Sequence, residues 1–233
     1  MKGRWQSRWS LVGLALLLLA GCDLPTDPQG TSRRAANGTI LVGVIESRPW
    51  AWLVGGEGRG VEAELIGEFA KSINARIEWI AGGESRLMQA LGNYQLDLVI
   101  GGIEDGTAWR DRVGISMPYF RSATVLAAPA GENPPPDLHG QPVAIGEGDP
   151  AREKLHRLGT VPVPAGRGEA KLSAVEDWQI PVRGLTPTGT TLRTARHVIA
   201  APPGENGWIL RLDRFLNSQR AEIAGRLQRQ AGS

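Results

Sequence analysis

Between Thr39 and Ile100, short apolar runs alternate with one-sided helical stripes, and few folds accommodate that alternation. Thr39 to Ile45, TILVGVI, is a β-branched run of buried-strand type. From Val61 the apolar residues recur at 61, 65, 66, 69, 70 and 73, the spacing of one helix face. Glu62 and Glu64 stand in its first turn, where the helix dipole favours negative charge, and Asn74 marks its end. Ala75 to Ala81 alternates as a strand does. Ser85 then predicts the cap of a short helix with Leu87, Met88 and Leu91 inward, and Leu96 to Ile100 reads as another buried strand. The order β-α-β-α-β predicts an α/β fold with an open sheet, in which ligands sit beyond the carboxyl ends of the strands. Two loops lie there: ESRPWAWL after the first strand and GGIEDGTAWR after the third.

The second half carries weaker periodicity. Ser122 to Ala128 predicts a strand, AGENPPPDLHGQP a proline-rich connector, and Val143 to Ile145 a short strand. Asp149 and Pro150 then open a helix over 151–158. Residues 159–200 hold many Gly, Pro and Thr and only short apolar runs, whereas 208–227 read as closing helical structure.

The amino terminus belongs to export, not to the fold. Residues 1–9 are cationic and Leu11 to Ala20 form an apolar run of about ten residues, which suits a secretory signal and is too short to span a bilayer. It ends in Leu19-Ala20-Gly21-Cys22, which resembles the lipobox of bacterial lipoproteins, in which the cysteine is acylated and becomes the first mature residue. The resemblance implies a signal peptide over 1–21 and a membrane anchor at Cys22; Asp23 implies retention on the periplasmic side of the inner membrane in a Gram-negative host. Cys22 is the sole cysteine, so no intrachain disulfide forms. Residues 22–38, polar and rich in turn formers, predict a flexible tether.

Charge and motif content exclude several classes of function. The full chain has a formal charge of +2, but residues 1–21 hold three of its basic side chains and no acidic one, so the exported protein is close to neutral. No basic stripe with interleaved aromatics marks a nucleic-acid binder. His139, His156 and His197 are too scattered to predict a metal site, and no nucleophile elbow is present. Gly58-Arg59-Gly60-Val61-Glu62-Ala63 fits a loose dinucleotide pattern, but the glycines follow a long loop, not a strand, so no cofactor is expected.

The segments LVGVIESRPWAWL, GVEAELIGEFAKSINARIEWI, LMQALGNYQLDLVIGGI and TAWRDRVGISMPYF, in that order, resemble the first lobe of the periplasmic solute-binding proteins of the polar amino acid type (family 3). The likeness is good over 39–120, weak over 137–150, nearly lost over 159–195, and returns at 197–216. It implies a two-lobed, type II periplasmic-binding-protein-like fold with a reduced second lobe: lobe one over 39–122 plus 199–233, lobe two over 123–198. It also implies closure of the lobes on a ligand that contacts both.

The resemblance assigns site residues. Arg110, in Thr107-Ala108-Trp109-Arg110, falls where the family binds a ligand carboxylate, a task suited to a guanidinium's paired donors. A surface ion pair to Asp105 or Asp111 is the competing reading, and Arg112 is a rival. The spacing from Arg110 to Ser116 is one residue short of the family's, and Ile115 replaces its Phe. Trp50 and Trp52 stand where an aromatic packs on the ligand, or else in the core. Gly101 and Gly102 match the turn whose carbonyls receive an ammonium. Gly148 and Asp149 open a helix whose amides face a carboxylate. Asp177, with Glu176 as its equal, sits where an acidic residue pairs with the ligand amino group.

The expected function is a lipid-anchored binding protein, a monomer, that captures a small polar solute such as an amino acid and delivers it to an inner-membrane ABC permease. Two alternatives remain: a sensory or partner-docking lipoprotein on the same fold, and a small-molecule lyase or dehydratase.

Overall fold

The computed structural model describes residues 26–166 and 170–231; the export signal and Cys22 lie outside the described residues. The first lobe is built on strand β1 (Thr39–Val44), which runs parallel to β4 (Arg76–Ala81) on one side and to β5 (Leu98–Ile100) on the other. Helix α2 (Val61–Ser72) connects β1 to β4, and α3 (Glu84–Gly92) connects β4 to β5. The apolar stripe of α2 is buried, and Asn74 takes a left-handed φ of 55° just past its end, a conformation asparagine tolerates. Gly83, not Ser85, precedes α3, with no side-chain cap; Ser85 already lies inside its first turn.

One further element follows β1. The loop after β1 contains a hairpin, β2 (Trp52–Val54) against β3 (Glu57–Arg59), turned by Gly55 and Gly56 with φ of 60° and 86°. Two consecutive positive φ values suit a two-residue hairpin turn, and Gly-Gly supplies them.

After β6 (Gly114–Ile115) the chain leaves the first sheet along β7 (Phe120–Pro129) and returns along β11 (Leu185–His197). These long strands pair antiparallel from Phe120–His197 to Pro129–Leu185 and form the double crossover between the lobes. The second sheet has the order β11-β7-β10-β8-β9, with β8 (Pro142–Ile145), β9 (Val161–Pro164) and β10 (Leu172–Glu176). Its helices are short, α4 (Arg152–Arg157) and α5 (Ile180–Arg183), and its core is a small cluster around Leu126, Val143, Ile145 and Leu155. On returning, β12 (Ala200–Ala201) slots between β5 and β6, giving the first sheet the order β4-β1-β5-β12-β6.

The closing segment is two helices, α6 (Asn206–Gln219) and α7 (Ile223–Ala231), separated by a 3-10 turn at Arg220–Glu222. Trp208 is fully buried, and its indole N–H donates to the carbonyl of Asp97 at 3.0 Å. The described part of the expected tether is not free. Helix α1 (Thr31–Ala35) packs Thr31 and Ala35 into the first lobe. The buried Glu205 carboxylate, just before α6, accepts the amides of Gln29 at 2.7 Å and Thr31 at 3.0 Å. A polar composition therefore conceals an ordered attachment, because its donors meet a carboxylate 174 residues away in sequence.

Candidate functional site

Between the two sheets lies a cleft of about 520 Å³. It is lined from the first lobe by Ser47 to Trp50, Gly102 and Glu104, from the crossover strands by Ser122, Arg193, Ala195 and His197, and from the second lobe by Gly146 to Pro150, Glu176 and Trp178. Its first wall is thus made by the loops that follow β1 and β5, the carboxyl-end position expected for an open α/β sheet.

That wall is stiffened from behind by Glu62. This carboxylate is fully buried in α2 and accepts the amides of Gly101 at 2.6 Å and Gly102 at 3.0 Å, together with the hydroxyl of Tyr119. Burial raises its pKa, opposed by those three donors, and burial likewise raises the pKa of Tyr119. Both glycines have positive φ; a Cβ on Gly101 would lie 2.5 Å from the Ile45 carbonyl, and one on Gly102 2.6 Å from the Trp50 ring. So the Gly-Gly turn exists to let backbone meet Glu62 and Trp50 closely. Its amides point at protein, and only Gly102 of the two lines the cleft.

Trp50 turns inward because Ser47 and Ala51 exchange two backbone hydrogen bonds of 2.8 Å, closing a tight loop. Its indole stacks on the imidazole of His197, with centroids 4.0 Å apart and planes inclined by 28°. With His197 on the ring and Gly102 against it, Trp50 is 8% exposed: it lines the cleft as part of a packed wall, not as an open face for a ligand to stack on. Trp52 belongs to the β2–β3 hairpin, outside the cleft lining, with the Arg48 guanidinium 4.4 Å from its ring centroid.

His197 is buried, and its Nε2 lies 3.0 Å from the Ser122 hydroxyl across the crossover pair. Burial lowers its pKa to about 4, with the positive charge of Arg193 acting in the same direction and the adjacent Gly102 backbone against it. The ring is neutral at physiological pH.

Across the second sheet, pairing aligns Arg193 of β11 with Thr124 of β7, and Thr124 with Glu176 of β10. Cross-strand partners share a face, so this row presents a cation, a hydroxyl and a carboxylate in succession. The Thr124 hydroxyl donates to Glu176 Oε1 at 2.8 Å, and Arg193 forms an ion pair with Glu104 of the opposite wall. The register of β11 shifts between Thr191 and Arg193, the kind of irregularity that re-aims a side chain.

Glu176 Oε2 and Trp178 Nε1 are buried without a hydrogen-bond partner among the described residues, and both residues line the cleft, as does His197, whose ring lies against the Gly102 backbone. Trp178 also joins the buried cluster of the first lobe, so it bridges the two lobes.

The remaining residues singled out in the sequence fall differently. Arg110 is exposed, donates to the Asp105 carbonyl at 2.8 Å and does not line the cleft. The turn that holds Arg110 N to Thr107 O, and Val113 N to Trp109 O, carries it outward, and its nearest acceptor is backbone, not the carboxylate of Asp105 or Asp111. Thr107 lines a neighbouring hollow of about 360 Å³ that also includes Gly101, Gly102 and Glu104. Arg112 lies over Trp109. Gly148 and Asp149 do line the cleft, but the Asp149 carboxylate is engaged by the Ala151 amide at 2.8 Å. Asp177 is exposed and accepts the Trp178 amide; its neighbour Glu176 faces the cleft.

Sequence reading missed Arg193, Ser122, Trp178 and the position of His197. A signal existed in TTLRTARH: residues 193, 195 and 197 share one face of a strand and all line the cleft.

Comparison with known proteins bears on this site. The model of the bacterial extracellular solute-binding proteins, family 3, matches residues 40–229. Among solved structures, an ancestral cationic amino acid solute binding protein aligns with a TM-score of 0.70 at 14% identity, over 87% of this chain and 99% of that one. The L-cystine solute receptor of Neisseria gonorrhoeae, in its unliganded open conformation, aligns with a TM-score of 0.66 at 18% identity, over 82% and 92%. At such identities the likeness is one of fold, the two-lobed type II architecture. A curated relative, membrane-bound lytic murein transglycosylase F of Vibrio cholerae, is 30% identical over 95 residues; these cover 40% of this chain and only 18% of that protein's length.

Proposed function

The chain belongs to the bacterial extracellular solute-binding proteins, family 3, and from that premise we propose that its cleft captures a small polar solute, an amino acid or related compound, for an inner-membrane ABC permease. One observation carries the reading: two buried polar atoms without a hydrogen-bond partner among the described residues, Glu176 Oε2 and Trp178 Nε1, belong to residues that line one cleft. Each buried group left unpaired costs about 1–3 kcal/mol, which a ligand bearing both donors and acceptors recovers on binding. Glu176 suits an ammonium, and the Trp178 N–H suits an oxygen acceptor beside it. A ligand held by Glu176 and by the Trp50 wall contacts both lobes, and such contacts drive closure. The names of the two solute-binding structures, one for L-cystine and one for cationic amino acids, support an amino-acid-like solute.

Export, acylation of Cys22 and retention at the inner membrane rest on the Leu19-Ala20-Gly21-Cys22 pattern and on Asp23. A second reading has one observation behind it: the curated relative is by name a membrane-bound enzyme, not a transport component, so the same lobes serving a sensory or docking role is the alternative. Co-purification of a permease from the native host separates the two.

The test is a thermal shift of the purified protein across an amino-acid panel. A ligand at 100 times its Kd adds about 2.7 kcal/mol to the stability of the native state, a rise in midpoint of several degrees. No shift with any member of a broad panel overturns solute capture.

A further inference from the structure

The arginine that faces the cleft is already occupied. Arg193, on the crossover strand, pairs with Glu104 from the loop after β5, and both side chains retain access to the cleft, at 26% and 37% exposure. Arg226 shows a guanidinium held for structure: it is 7% exposed, and its two terminal nitrogens are gripped by Glu68 at 2.7 and 3.0 Å and by Glu222 at 3.1 Å. Arg193 differs in standing at the cleft surface in the same row as Glu176, whose Oε2 is unpartnered. The other cleft arginines, Arg48 and Arg183, are exposed.

We infer that Arg193 is the anion-binding residue of this cleft and that Glu104 is its built-in competitor, a carboxylate of the protein itself that an incoming anionic group must displace. The inference rests on the solute-capture reading and assigns its specificity. A tethered carboxylate lowers the apparent affinity for any anion by the fraction of time it leaves the guanidinium free. A ligand with a lone carboxylate is therefore disfavoured. A zwitterion gains at Glu176 while it displaces Glu104, so the row selects for both charges together.

Acetate, the bare carboxylate, tests this on the purified protein in mild detergent, with phenylglyoxal modification of Arg193 followed by mass spectrometry. In the wild type Glu104 shields Arg193, and acetate protects it further only at high concentration. In Glu104→Gln the modification accelerates, and half-protection by acetate falls about tenfold in concentration, the factor for an arginine that is free a tenth of the time in the wild type. Glu104→Asp, which keeps the charge on a shorter arm, gives an intermediate value and stands in should the Gln variant fail to fold. Glu46→Gln removes an exposed charge beside the cleft and outside its lining and leaves acetate protection unchanged; an equal gain there reduces the effect to general electrostatics and overturns the assignment. Unchanged modification and protection in Glu104→Gln overturn it as well, making the pair a structural strut. The two readings fail separately: a panel response with no gain in Glu104→Gln refutes only the competitor, and a sharpened acetate response with a silent panel refutes only solute capture.

Discussion

The indole of Trp50 lies on the imidazole of His197 at a centroid distance of 4.0 Å, joining the loop after β1 to the last residue of β11. This contact removes the imidazole from water and holds its pKa at about 4, against 6.5 for a free histidine. The unfolded chain therefore binds a proton below pH 6.5 that the native protein refuses until about pH 4. Stability is fully present above pH 6.5, and about 3 kcal/mol of it is lost as the pH falls through that window. Urea denaturation from pH 4 to 7 should show the decline, and His197→Gln should flatten it. Glu62 acts oppositely: its pKa is raised, so its contribution falls as the pH rises above 4.5. Subtracting the variant's curve from the wild-type curve isolates the histidine.

Arg110→Ala should change stability by less than about 0.5 kcal/mol, because an exposed side chain with one hydrogen bond to a backbone carbonyl contributes little. The same variant should keep the thermal response to an amino-acid ligand, whereas Arg193→Ala should lose it. Midpoints measured with and without ligand check both. The opposite pattern would return the carboxylate-binding role to residue 110.

Glu62→Ala should destabilise the protein by on the order of 4 kcal/mol. It strands the amides of Gly101 and Gly102 and the Tyr119 hydroxyl in a buried pocket and leaves a cavity behind. Equilibrium urea unfolding measures the loss. Because the same amides fix the cleft wall, ligand response should weaken even under conditions where the variant stays folded.

These cases show which parts of the molecule were legible in the chain. The first lobe was, because α2 and β4 carry periods of their own and β1 and β5 are short apolar runs. The cleft was legible only in outline. Trp50, Gly102 and Gly148 reach it, but which of two tryptophans turns inward depends on the Ser47–Ala51 hydrogen bonds, which composition does not encode. Arg110 matched a family spacing, yet the turn beginning at Thr107 directs it outward. Arg193 and Glu104 lie 89 residues apart, and only the crossover of β11 brings them together. The described part of the tether differs from its polar composition for the same reason: Gln29 and Thr31 are polar in sequence and satisfied in space.

Glu205→Ala provides the test of that last point. Glu205 is fully buried, and its two oxygens take the amides of Gln29 and Thr31, so its removal deprives two donors of their acceptor. The Asp27 carboxylate, which lies against Glu205 and the Thr31 amide and already accepts the Ser32 amide, is one alternative acceptor; otherwise the segment regains these bonds from water by lifting off the lobe. A second attachment, the Gly207 amide to the Thr26 carbonyl at 2.9 Å, starts from the same helix entrance and should loosen with it. Hydrogen exchange of the amides of Gln29 and Thr31 should therefore accelerate at least tenfold in the variant, while amides of β1 and β5 keep their protection. Because Arg34 still pairs with Asp97, the far end of the segment should remain attached, and trypsin should gain access to Arg33 before Arg34. Equal acceleration across β1 would instead mean that the carboxylate supports the whole lobe, not its amino-terminal strap.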